Sequence, residues 1–186
     1  MESAKLDRQQ IVEAALAIMQ HSGVEALSMR KLAAELNIRA PTLYWYFPDR
    51  SAILHAAIKT IFTATVASVP PCDSWQEWLR AFGRRLWATN KTYQFGIILL
   101  QSRELNDTDV FDEVITRLTT QIEAFGIDRN VFLEAQSHIQ ALTVGWAVFR
   151  QGGVVARLGE LFDVETEIER GIDGIVEMYE RRLVES

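Results

Sequence analysis

The stretch RAPTLYWYFPDR, Arg39 to Arg50, places five large apolar or aromatic residues, Leu43 to Phe47, between two prolines. Pro41 and Pro48 confine any helix here to about two turns. A helix that short cannot bury every ring. At 100° per residue, with Leu43 at zero, Phe47 falls about 40° away and Tyr46 about 60° away on the other side. Those three form one inner face. Tyr44 lies about 100° off and Trp45 about 160° off, so Thr42, Tyr44 and Trp45 point outward with Pro41 at the leading edge.

The residues before this stretch supply a partner for the inner face. In RKLAAELNIRAPTLYWYF, residues Leu32, Ala33, Leu36, Ile38 and Leu43 sit at the spacing of a helix-turn-helix. Ala33 is small enough to let two helices cross closely. Asn37 holds the turn position, where its tolerance of left-handed geometry is useful. A short, well-supported second helix with Thr, Tyr and Trp at its front suits a major groove. The hydroxyls can bond phosphates, and the carbons of Pro41 and its neighbours can meet thymine methyls. Arg30, Lys31, Arg39 and Arg50 surround the helix and can neutralise phosphates.

Helix punctuation recurs along the rest of the chain, and nothing reads as a strand. Asp7 and Gln10 form a capping box, with Leu6 and Ile11 as its hydrophobic staple, and Gly23 ends the first helix. Ser28 opens the second helix. A fourth follows Pro48-Asp49, and SVPPCD (Ser68 to Asp73) makes the clearest break. Ser74 and Glu77 cap the next helix, GIDRN stops and restarts the chain, and a long pattern runs from Val131 to about Arg150. The last helix runs from about Val164 to Leu183. The expected fold is all-α: an N-terminal three-helix helix-turn-helix domain over residues 1–50, a linking helix over about 50–66, and a C-terminal helical domain over 67–186.

Composition bounds the function. The chain has 186 residues, 48% of them hydrophobic and 24% charged, enough for one sizeable core or two small ones. The net charge of −6 is unevenly spread: residues 1–60 carry 7 Lys/Arg against 6 Asp/Glu, and the rest carries 12 against 19. The acidity therefore lies outside the helix-turn-helix. No apolar run is long enough for a membrane span, and the N-terminus lacks a signal-peptide core. The single Cys72 precludes an intrachain disulfide and fits a reducing cytoplasm. His21, His55 and His138 lack paired ligand spacing, so no metal or cofactor is expected. Ser28-Met29-Arg30-Lys31 matches S-x-x-K, a serine-nucleophile motif, but without its partner motifs. The acidic cluster Asp107, Asp109, Asp112 and Glu113 reads as helix capping.

Over about 55 residues, from Leu6 to about Phe62, the chain resembles the DNA-binding domain of the tetracycline-repressor (TetR-type) family of bacterial transcription factors. The glycine after the first helix, SMRKLA, TLYWYF and DRSAIL carry the resemblance. DSWQEWLR (Asp73 to Arg80) is similar to the start of the C-terminal domain in tetracycline repressors proper. The family implies that Ser28, Met29 and Arg30 sit near phosphates at the groove edge, with Lys31 beside them. It implies that Arg39, Ala40, Pro41 and Thr42 face base edges. Tyr44, Trp45 and Tyr46 would grip the backbone, and Arg50 would contact phosphate. Met29 and Ala40 depart from the hydrogen-bonding residues usual at those positions, which implies a different operator.

The resemblance further implies a C-terminal pocket for a small organic effector and a homodimer. Aromatic pocket walls with a few polar groups give Trp78, Phe82, Trp87, Asn90, Phe95, Arg103, His138 and Trp146 as candidates. Leu100 stands where tetracycline repressors carry a metal-ligating histidine. The last two long helices are apolar over a wide arc with small residues between. They give Ala141, Gly145, Val148, Ile168, Ile172, Ile175 and Tyr179 as candidate interface residues of a four-helix bundle. The expected function is a transcriptional regulator, a repressor of double-stranded operator DNA relieved by a small molecule. The alternative is a helical ligand-binding or enzymatic protein with an idle helix-turn-helix.

Overall fold

A computed structural model describes residues 6–94, 96, 116 and 123–185. The described residues are helical, without strands. α1 spans Arg8–Ser22, a 3-10 turn covers Val24–Ala26, and α2 (Met29–Glu35) and α3 (Ala40–Tyr44) make the helix-turn-helix. α4 (Arg50–Ala67) and α5 (Trp75–Thr92) follow. The chain continues with α6 (Arg129–Gln151), a short α7 (Val154–Leu158) and α8 (Val164–Val184). No helix among the described residues is long and apolar enough to cross a membrane.

Side-chain caps fix most of these starts. Asp7 accepts from the Gln10 N–H while the Gln10 side chain returns to the Asp7 N–H, the expected reciprocal box. Ser28, Asp49, Ser74, Asp128 and Asp163 cap α2, α4, α5, α6 and α8 with a side-chain oxygen that accepts from a first-turn N–H, without the return bond. The Thr166 hydroxyl, with backbone N–H groups at Glu165 and Thr166, holds the Asp163 carboxyl below its usual range. Gly153 turns the chain out of α6 in the left-handed region, φ 75°, and α7 follows. Neither α7 nor the 3-10 turn is legible in the helical spacing, because both are too short for a period to emerge.

Two hydrophobic clusters organise the protein. The first gathers α1, α2, α3 and the start of α4 around Ile11, Leu32, Leu43, Phe47 and Leu54. The second gathers α5, α6 and α8 around Phe82, Phe132, Ile139 and Val176. α4 contributes to both: Ile53, Leu54 and Ala57 are buried in the first, Val66 in the second. Eighteen residues at 1.5 Å each make α4 a rod of about 27 Å between the clusters.

α5 lies tightly on α6 and α8. A Cβ at Gly83 would meet Ile172 Cδ1 at 2.9 Å and Ile139 Cγ2 at 3.0 Å, so only glycine permits this crossing. Along its edge Arg80 pairs with Asp173 at 2.8 Å, Arg84 with Glu169 at 2.8 Å and Lys91 with Glu165 at 3.0 Å. This packing corrects three of the interface expectations. Ile168, Ile172 and Tyr179 are 1–2% exposed within one subunit, because α8 turns that stripe toward α5 and α6. Ile175 is half-buried against the same core.

Candidate nucleic-acid interface and effector cavity

α3 is a single turn and a half, and its support comes from outside it. Arg39 occupies its N-cap position without a side-chain cap bond, and Leu43 and Phe47 are fully buried beneath it. Asn37 takes φ 53° in the turn, and the Ile38 N–H reaches back to the Ala33 carbonyl at 2.9 Å. From α1, the Arg8 guanidinium lies 4.1 Å above the Phe47 ring and donates to the Tyr46 carbonyl. The Tyr46 hydroxyl donates to the Leu6 carbonyl at 2.7 Å. The start of α1 therefore clamps the end of α3.

What remains outside is a compact protruding surface. Trp45 is 89% exposed and Tyr44 54%, against an interior directly beneath them. Pro41, Ser28, Arg30, Lys31 and Arg39 are exposed around them, and Thr42 and Ala40 are half-buried at the leading edge. Met29 is also half-buried, packed on the N-terminal cluster. A large exposed indole costs hydration unless something covers it, and a flat aromatic beside three cations is suited to a sugar-phosphate backbone.

Two of the twelve residues expected at DNA are turned elsewhere. The Tyr46 hydroxyl is occupied by Leu6, as the inner position on the helical wheel demands. Arg50 points inward: its Nε donates to the Leu27 carbonyl at 2.9 Å and a terminal nitrogen to the Val24 carbonyl at 3.0 Å. Those carbonyls open and close the 3-10 turn before α2, so Arg50 joins the start of α4 to the entry of the helix-turn-helix.

The second site is a cavity of about 60 Å³ between α4, α5 and α6. Ile58, Ile61, Phe62, Leu86 and Val144 form its apolar wall, with Thr65, Thr89, Asn90 and Gln140 as polar points. Thr65 Oγ1 donates to the Ile61 carbonyl and lies 2.8 Å from Thr89 Oγ1, linking α4 to α5. The Asn90 Nδ2 is buried without a hydrogen-bond partner.

Among the described residues, Asn90 of the expected effector set lines this cavity. Trp78 and Phe82 stack at 5.0 Å and 13° and pack on Phe132, so they are core. Trp87 is buried and donates from its indole nitrogen to Glu165 at 2.6 Å. His138 pairs with the Tyr179 hydroxyl at 3.0 Å. Trp146 packs edge-on against Phe149 and Phe162. Phe95 and Arg103 lie outside the described residues, as do Leu100 and the acidic cluster Asp107 to Glu113. Sequence reasoning passed over Thr65 and Thr89. Their signal was a hydroxyl set on an otherwise apolar helical stripe.

A family model described as bacterial regulatory proteins, tetR family, matches residues 11–57. The chain is 30% identical over 164 residues to tetracycline repressor protein class D of Escherichia coli, covering 75% of this chain and 71% of that protein. It is 30% identical over 146 residues to the HTH-type transcriptional repressor DrrR1 of Streptomyces coeruleorubidus, covering 76% of this chain and 52% of that one. Among solved structures, a TetR protein of Acinetobacter baumannii AYE in complex with minocycline superposes with a TM-score of 0.72. Its identity is 22%, with 95% of this chain and 98% of that one covered. The Streptomyces coelicolor protein ActR in complex with (S)-DNPA gives 0.68 at 20% identity, covering 95% and 98%.

Proposed function

The chain belongs to the tetR family of bacterial regulatory proteins and is a DNA-binding transcriptional repressor of the helix-turn-helix type, and from that premise we propose how its own residues do the work. A cytoplasmic homodimer places one α3 in each of two successive major grooves of an operator, because a single short helix reads too few base pairs to be selective. Pro41, Thr42 and Ala40 face base edges. Tyr44 and Trp45 lie along the backbone, and Ser28, Arg30, Lys31 and Arg39 bind phosphates. Residues 1–50 act as the DNA-binding unit, α4 as the link, and residues from 67 onward as the effector-binding and dimerising unit, with no catalytic role.

Dimerisation uses the outer face of α6 and α8. Ala141 and Val148 are exposed there, beside exposed Phe149 and Met178. A Cβ added at Gly145 or Gly174 would meet nothing within 4 Å, so a second copy can approach closely. A small molecule entering the cavity shifts the dimer toward a state whose recognition helices no longer match their half-sites. Moving that equilibrium from 1:99 to 99:1 requires about 5.5 kcal/mol of differential affinity.

The observation that carries this reading is Trp45, 89% exposed one residue past a fully supported recognition helix. The test is selection of bound sequences from a random duplex pool, then anisotropy titration on the winner. Trp45→Ala is expected to weaken binding at least about tenfold. Arg30→Ala and Lys31→Ala are each expected to lower the salt slope by about 1. Failure of the pool to converge on a palindrome would sink the reading.

A further inference from the structure

We infer that the cavity between α4, α5 and α6 takes a neutral, largely apolar organic molecule bearing a carbonyl-type oxygen, which accepts a hydrogen bond from the Asn90 amide. This rests on the ligand-responsive reading above and names the chemical class of the ligand.

The wall sets the first condition. Among the described lining residues none carries a formal charge. An ionised carboxylate or ammonium brought here would lose its water with no opposite charge to meet, a cost of many kcal/mol in an apolar medium. The described wall therefore favours a neutral ligand.

The polar points set the second. Thr65 has one hydroxyl proton and donates it to the Ile61 carbonyl, so across the 2.8 Å pair it is Thr89 that donates. Both threonine protons are then engaged. Gln140, also in the wall, accepts from the Gln136 amide at 3.0 Å. The Asn90 Nδ2 is buried and unpartnered, a costly state for an amide in a folded protein. The site thus has a donor to give, and the complementary ligand brings an acceptor.

Size couples binding to the switch. A cavity of about 60 Å³ is far below the ~150 Å³ that holds benzene in an engineered protein. A ligand larger than benzene requires the wall to widen, and a movement of α4 off α5 would part Thr65 from Thr89.

The test uses three probes on one skeleton: 2-acetylnaphthalene, which is neutral with an acceptor; 2-naphthoate, which is anionic; and 2-ethylnaphthalene, which has no acceptor. Dissociation constants are measured by ligand-observed NMR on the full chain and on Asn90→Leu. The ketone is expected to bind wild type about tenfold more tightly than either other probe. Asn90→Leu is expected to bind the ketone and the ethyl compound equally, with a melting temperature no lower than wild type because the orphan amide is gone. Preference for the anion, binding of none of the probes, or an unchanged ketone preference in Asn90→Leu overturns the inference. So does a lowered melting temperature with all binding lost, which would make Asn90 a structural residue. Operator affinity of the probe-free protein is measured in parallel. If operator binding holds while the ketone fails, the ligand class alone is wrong.

Discussion

A cation held by two backbone carbonyls is not available to displace counterions from a phosphate. Arg50 is such a cation, and Arg30, two residues past the α2 cap and exposed, is its opposite. The two arginines stand near one recognition helix and should separate cleanly by experiment. Arg50→Ala is expected to cost about 1.5–3 kcal/mol in urea unfolding, the range for hydrogen bonds from a charged group. It should leave the salt slope of operator binding unchanged. Arg30→Ala should do the reverse. Equal salt effects from both would place Arg50 at the DNA after all. At this scale the sequence made every charge near the helix look alike, since its composition records a guanidinium but not the carbonyls of Val24 and Leu27 that receive it.

Between elements, the contact of interest is α4 on α5. α4 has buried residues in both hydrophobic clusters, so in the proposed switch it is the element that would carry a change at its C-terminal half toward α3. Thr65 and Thr89 tie the two helices through hydroxyls in the cavity wall. Thr65→Val keeps the shape and removes the tie. It is expected to lower ligand-free operator affinity by several-fold and to reduce the ligand concentration needed for release, both readable by anisotropy. If operator affinity and ligand response both match wild type, the pair is only packing. The helix caps and proline boundaries at this scale were legible in advance, because a cap and its partner lie two or three residues apart and need no tertiary context. Of the two expected reciprocal boxes only Asp7–Gln10 closes, since Glu77 turns to the Asp73 N–H.

For the whole molecule, α8 buries one face in its own subunit, and the proposed dimer uses the outer face of α6 and α8. Ile172 is 2% exposed and closes over Gly83, whereas Gly145 of α6 looks onto open space. Ile172→Ala should destabilise the subunit by about 2–5 kcal/mol, measured by denaturant unfolding. Gly145→Glu should leave each subunit folded but monomeric in sedimentation, with operator affinity lost. A folded, dimeric Gly145→Glu protein would move the interface elsewhere. From spacing alone the interface list mixed both faces, because α8 is apolar around a wide arc and its sequence does not say which side meets its own subunit.

By itself the sequence determined the all-helical class, the helix starts and the division of α3 into an inner face of Leu43 and Phe47 and an outer one of Tyr44 and Trp45. Those features follow from steric periodicity and hydrogen bonds between near neighbours. The tertiary structure alone decided that Arg50 turns inward, that Trp78, Phe82 and Trp87 are core, and that Thr65 and Thr89 join Asn90 in the cavity wall. Each of those depends on which distant helix arrives alongside, and burial is settled by that partner and not by the residue.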